Sequence, residues 1–291
     1  MGARLFWLLL CSVCVSGCYT QLPVFAVRLE NDQYRVERHC RPVEKEIKGK
    51  TVMVDVCTVT RVPTNIPDSN PITPAQIQTV VDAANVVWSK YRYRFSFDEN
   101  TDYVIAHSTK LNRTPSTQAE WQEYGPLADA LSLLSNPPQN KVVVLFRAEK
   151  GIGWSSGPPT RNVSMPAIDN LFLQHEMGHY FGLVHTMSSG SCAALTLANT
   201  DNDVNGLLPV PDDDIHDTPS DPTATCLATV STDLCATTTA TINGIVFTPP
   251  LRNVMSYYGC TPQEFSPDQI KAIKYNMEHG RSKIPILRLG F

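Results

Sequence analysis

From residue 175 to residue 185 the chain reads His-Glu-Met-Gly-His-Tyr-Phe-Gly-Leu-Val-His, which gathers three of its seven histidines into one short segment. His175 and His179 stand at i and i+4, so on a helix their rings share one face and can share a metal ion. The apolar lead-in Leu171-Phe172-Leu173 makes a helix the natural reading. Glu176, beside the first histidine, is set to reach a water on that ion rather than the ion itself. A continued helix would carry His185 about 240° round from His179, to the wrong side. Gly182 removes the difficulty, because glycine accepts a left-handed conformation that ends the helix and turns the chain back until His185 completes the set. Three neutral imidazoles leave the fourth position of a tetrahedral zinc open, the catalytic rather than the structural arrangement. No Glu occurs between Glu176 and Glu264, which argues against the plan with a downstream Glu as third ligand.

The charge distribution bears on the same region. The 291 residues carry a formal charge of −4, yet Asn162 to Leu251 holds ten Asp and Glu and no Lys or Arg, leaving +6 on the remainder. Neither the total nor any clustered basic surface argues for a nucleic-acid partner. The acidic field suggests basic peptides as substrates. A hydrophobic fraction of 42% supplies an ordinary globular core.

Residues 1–17 have the pattern of an export signal: Arg4, then an apolar run from Leu5 to Val15, too short to span a bilayer comfortably. Val15-Ser16-Gly17-Cys18 resembles a lipobox, which would make Cys18 a lipid attachment site and the only route to a membrane. A signal cut near the same place without lipid is the plainer reading. Beyond it six cysteines remain, Cys40, Cys57, Cys192, Cys226, Cys235 and Cys260, an even set that reads as three disulfides in an exported chain. Six cysteines allow 15 pairings, so spacing alone does not choose among them.

Elsewhere the periodicities outline an α+β chain. Residues from Tyr19 to about Thr60 alternate in strand fashion, and a Pro/Asn-rich linker follows from Pro63 to Pro71. Thr73 as N-cap and Pro74 at N1 start a helix with apolar residues at Ile77, Val80, Val81, Ala84, Val87 and Trp88. Tyr91 to Phe97 switches to period two. A helix is expected over Gln118 to Leu134, broken or restarted at Gly125-Pro126. Lys141 to Phe146 reads as a strand buried on both faces. Met187 to Pro250 has few apolar runs and needs cysteines to hold it. Ser266 and Pro267 then open a last helix, with Ile270, Ile273 and Met277 on one face and Gly280 as its stop.

The segment HExxHxxGxxH, taken with Asn253-Val254-Met255-Ser256-Tyr257 downstream, resembles the metzincin metalloproteases. The resemblance implies that Met255 forms the Met-turn beneath the histidines and that Tyr257 stands near the zinc, able to stabilise an oxyanion. Within that group the chain is similar to the pappalysin branch, through Cys192, through Asp213-Asp214-Ile215-His216-Asp217-Thr218-Pro219, and through the later cysteines. Two crossed disulfides are implied, Cys192–Cys235 and Cys226–Cys260, leaving Cys40–Cys57. A Cys40 thiolate occupying the zinc, as metzincin pro-segments do, is the alternative for that cysteine. The implied fold is a metzincin-type zincin: a mixed twisted sheet with a backing helix, an active-site helix above, and an irregular disulfide-linked C-terminal subdomain ending in a helix. The expected divisions are a signal over 1–17, an N-terminal extension (pro-segment or strand-rich lead-in) over 18–62, and catalytic subdomains over 63–182 and 183–291.

The implied activity is that of an exported zinc endopeptidase acting on proteins or peptides. His175, His179 and His185 hold zinc, Glu176 is the general base and Tyr257 the oxyanion donor. The alternative is a catalytically silent envelope lipoprotein that keeps the fold for binding, although such a relic has no need of Glu176. Calcium is a second candidate cofactor. Asp201-Asn202-Asp203-Val204-Asn205-Gly206 copies the first half of an EF-hand loop, and Asp212, Asp214, Asp217 and Thr218 are further candidate ligands.

Overall fold

The computed structural model describes residues 19–47, 50–64, 72–134, 141–148, 151–155, 157, 162–166, 172–187, 192, 213, 215, 217–219 and 221–279. The chain opens with strand β1 (Thr20–Glu30), then a hairpin of β2 (Tyr34–Ile47) and β3 (Lys50–Pro63). Helix α1 (Pro74–Trp88) leads to β4 (Tyr93–Ser96) and β5 (Tyr103–His107). Helix α2 (Gln118–Leu134), β6 (Val142–Arg147), β7 (Asn162–Pro166) and helix α3 (Phe172–Tyr180) follow. The C-terminal part holds a short helix α4 (Ala224–Leu227), a small hairpin of β8 (Ala240–Ile242) and β9 (Ile245–Phe247), and helix α5 (Pro267–Glu278).

The main sheet runs β4-β1-β6-β7, with β5 also on β1. These pairings are parallel. At the far edge Trp154 pairs antiparallel with Ser164 of β7 through two backbone hydrogen bonds of 2.8 Å, so the sheet is mixed. Both faces are covered. Val24, Ala26, Val144 and Phe146 point toward α1 and α3, while Phe25, Val27, Val143 and Leu145 point toward Tyr124 and Ala128 of α2. That two-sided burial explains why β6 reads as a continuous apolar run.

β1 is an interior strand of this sheet, so Thr20–Glu30, expected to lie in an extension before the catalytic unit, supplies the middle of its first layer. The β2–β3 hairpin pairs only with itself among the described strands. Its register sets Cys40 opposite Cys57, the position a Cys40–Cys57 disulfide needs. The side chains of both residues, like Cys18 and Gly280, lie outside what is described.

Helix α1 starts where expected, with a capping box between Thr73 and Gln76 and Pro74 behind it. Helix α5 repeats the device with Ser266, Pro267 and Gln269. Helix α2 departs from expectation: it runs unbroken through Pro126. The carbonyl that Pro126 cannot serve belongs to Gln122, and both residues are exposed, so the missing bond falls on the solvent side of the helix. Gly125 lets the Trp154 indole sit against the helix, where an added Cβ would already be 3.3 Å from the ring.

The disulfide pattern also corrects the expectation. Instead of the crossed pairs Cys192–Cys235 and Cys226–Cys260, Cys192 bonds Cys226 and Cys235 bonds Cys260. The two bridges belong to separate apolar clusters. Cys192 and Cys226 pack with Ile242, Ile245 and Phe247, whereas Cys260 packs with Leu227, Ala240 and Tyr258. The β8–β9 hairpin and α4 keep the two pairs apart.

Candidate active site

Helix α3 carries His175, Glu176 and His179 over the sheet. It is seated from below by Trp88 of α1, whose indole N–H donates to the Gln174 carbonyl at 3.3 Å and whose ring meets Phe265 edge-on at 5.0 Å. Gly182 ends the helix at φ +97°. Leu183 N–H bonds the Gly178 carbonyl at 3.0 Å and Gly182 N–H the His179 carbonyl at 2.8 Å, the two bonds of a Schellman motif. The reversal brings His185 back over the helix, with its ring centroid 5.2 Å from His175 and 4.5 Å from His179.

Two of the three rings are oriented by backbone carbonyls. His175 Nδ1 lies 2.7 Å from the Val254 oxygen, and His179 Nδ1 lies 2.8 Å from the Leu183 oxygen. A carbonyl only accepts, so each Nδ1 carries the hydrogen and each Nε2 keeps a lone pair. His179 Nε2 and His185 Nε2 are 3.0 Å apart, and one ligand atom from each of the three histidines lies within 4.8 Å of the others. Burial, together with mutual repulsion of the rings, depresses the His179 pKa to about 3 and the His185 pKa to about 4. Burial also lowers that of His175. The rings are therefore neutral at neutral pH, the state a cation requires.

Glu176 is buried at 4% exposure and its Oε2 has no hydrogen-bond partner. Burial pushes its pKa up to about 8, with the positive charge of Arg147 pulling the other way. Arg147 is fully buried, donating to Thr114 Oγ1 at 2.8 Å and to the Ile152 carbonyl. Gly153 closes over the acid: a Cβ there would stand 2.6 Å from Glu176 Oε1. An orphaned carboxylate oxygen beside three converging imidazole lone pairs fits a zinc ion with a water on it.

Met255 is wholly buried beneath α3, where its sulfur occupies the space a Cβ on Gly178 would take. Asn253 shapes the turn, accepting from Met255 N–H at 2.9 Å and donating to Gln269 of α5 at 2.9 Å. Tyr257 is 60% exposed, and its hydroxyl lies 2.9 Å from His185 Nε2. A cleft of about 530 Å³ passes over these groups, with Ile152, Trp154, Phe172 and Val254 among its walls. Glu176 is the only carboxylate among the described lining residues, so the expected acidic field does not reach the cleft through them.

The structure thus brings together His175, Glu176, His179, His185, Met255 and Tyr257. Among the described residues the two calcium candidates, Asp217 and Thr218, form no ligand cluster. Asp217 accepts the Asp268 N–H at 3.0 Å near the start of α5, and Thr218 is buried with an unpartnered Oγ1. Asp201, Asp203, Asp212 and Asp214 lie outside the described residues. Sequence reading passed over Arg147, Gly153, Gly178 and Asp221, whose partners come from distant segments. The one signal in the sequence was Gly178 inside an otherwise helical motif.

Histidines converging on a helix, a glycine-driven reversal and a methionine turn beneath define a metzincin-type zinc metallopeptidase. Residues 162–278 match the model of the Peptidase_M43 family, described as pregnancy-associated plasma protein-A. Over that stretch the chain is similar to the pappalysin family of peptide-bond hydrolases, a family that implies zinc. A comparison with curated proteins finds no match.

Proposed function

We propose that the protein is an exported zinc endopeptidase in which His175, His179 and His185 hold the metal, Glu176 is the general base and Tyr257 the oxyanion donor. The observation that carries the reading is the unpartnered, buried Glu176 Oε2 beside three imidazoles whose lone pairs converge. Zinc, when bound, supplies the Lewis acid that acidifies a water and polarises the scissile carbonyl. Glu176 would take a proton from the attacking water as its oxygen adds to the carbonyl carbon, and would return it to the amine nitrogen as the C–N bond breaks. Tyr257 donates a hydrogen bond to the carbonyl oxygen as it gains charge.

Substrate binding falls to the edge segment at Trp154. The backbone groups of Trp154 are used on Ser164, so those of its neighbours Gly153 and Ser155 face the other way, the side on which an extended peptide would pair. With apolar walls at Ile152, Phe172 and Val254, the cleft favours apolar side chains rather than the basic ones suggested by charge. Calcium has no assembled ligand set among the described residues, and the proposal carries zinc alone. Two disulfides support a working environment outside a reducing compartment. Cleavage after residue 17 with lipid on Cys18 is part of the same proposal. Among the described residues no helix is long and apolar enough to cross a membrane.

The test is caseinolysis by wild type and Glu176→Ala with zinc content measured in both. Loss of activity by about 10²- to 10⁴-fold at equal zinc content is expected. Equal zinc and equal activity would sink the peptidase reading in favour of a binding protein.

A further inference from the structure

Asp221 is 5% exposed, and its carboxylate accepts hydrogen bonds from both loop segments that form the site. Oδ2 takes the Thr186 hydroxyl at 2.6 Å. Oδ1 takes the Tyr258 hydroxyl at 2.6 Å and the Thr223 N–H at 2.8 Å. Thr186 is wholly buried and follows His185 directly; Tyr258 is buried and follows Tyr257 directly. Each anchor therefore sits one residue from a side chain that lines the cleft. The same two segments are joined by Thr186 N–H on the Met255 carbonyl at 3.2 Å, and Asp221 bridges in parallel to Met187.

His175 and His179 are held by a helix and by a carbonyl on each Nδ1. His185 and Tyr257 come from irregular backbone, where a side chain's place depends on what ties the loop down. We propose that Asp221 is a positioning residue for the site, fixing His185 through Thr186 and Tyr257 through Tyr258. The inference rests on the peptidase reading above, and it assigns the carboxylate two separable jobs. Bonds to an ionised acceptor are short and strong, which suits one group clamping two segments.

Four variants separate the jobs. Thr186→Val removes one hydroxyl and should weaken zinc binding about tenfold or more, read by competition with a chromophoric chelator; Thr186→Ser should restore it. Tyr258→Phe should leave zinc affinity within about twofold and lower kcat of the zinc-saturated enzyme about tenfold at unchanged KM. Asp221→Asn should show both effects. The proposal is overturned if Thr186→Val and Asp221→Asn change only the melting temperature. Equal loss of zinc affinity in Thr186→Val and Tyr258→Phe also overturns it, because the carboxylate would then support the fold as a whole. A wild type with no peptidase activity refutes the peptidase reading instead, and the zinc measurements still decide for or against Asp221.

Discussion

Gly182 and Gly178 sit four residues apart in the same motif and are required for different reasons. At Gly182 the backbone φ is +97°, so Gly182→Ala should cost about 1–2 kcal/mol. It should also weaken zinc binding, since His185 arrives through that turn; denaturant unfolding and a zinc competition titration read the two effects. At Gly178 the conformation is helical and alanine would ordinarily gain up to about 1 kcal/mol. There the added Cβ meets the Met255 sulfur in a full core, and overpacking of about 1–3 kcal/mol wins. Gly178→Ala should therefore destabilise, and the loss should vanish in a Met255→Ala background; persistence of the loss would refute the steric account. The first glycine was legible because its signal is local: a histidine out of helical phase with a glycine before it. The second was marked only by being a glycine inside a helix; its reason was not legible, because the atom that excludes a side chain belongs to a residue far along the chain.

Elements followed the same division. Helices α1 and α5 were readable from their first residues, since a capping box and a proline act within one turn. Disulfide pairing was not readable, because it is decided by which cluster each cysteine joins. Peptide mapping of the non-reduced protein should recover Cys192 with Cys226 and Cys235 with Cys260. Crossed pairs would refute the arrangement. With sequence separations of 34 and 25 residues, each bridge should contribute about 3–4 kcal/mol by restricting the unfolded chain. The loop closed by the first bridge also gives Asp221 a measurable pH signature. Burial raises its pKa, against the hydrogen bonds of Thr186, Tyr258 and Thr223. A carboxyl whose folded pKa lies above its unfolded value of about 3.9 stabilises the fold below that value and loses the contribution as pH rises through the folded one. Urea titrations across that interval should show wild type losing ground to Asp221→Asn with rising pH. A difference that stays flat would mean the carboxylate is not held at a raised pKa.

At the scale of the whole molecule, two features of the sequence changed meaning. The acidic stretch looked like a cation-handling surface. Its described aspartates instead work as internal fastenings: Asp213 on Ile215 N–H, Asp217 on Asp268 N–H, Asp221 on three donors, Asp233 on Ala236 N–H. The N-terminal residues, which looked like an extension before the catalytic unit, divide into two parts of opposite importance. β1 pairs with β4, β5 and β6 and buries Val24 to Val27 almost completely; a sheet without it would lose its middle and both clusters packed on it. The β2–β3 hairpin joins no other described strand, and its base is closed by Thr64 N–H on the Gln33 carbonyl at 3.0 Å. Replacing residues 34–63 by a short turn should therefore leave a folded protein with zinc affinity within about twofold of the parent, because closing a shorter loop costs little. Removing residues 18–30 as well should abolish folding. Circular dichroism and zinc titration of the two deletions decide it. If the shorter product folds and cleaves casein, the first strand is dispensable and residues 18–62 are a pro-segment after all. If only the hairpin deletion survives, the first strand belongs to the catalytic unit, and any activating cut must leave Thr20–Glu30 in place.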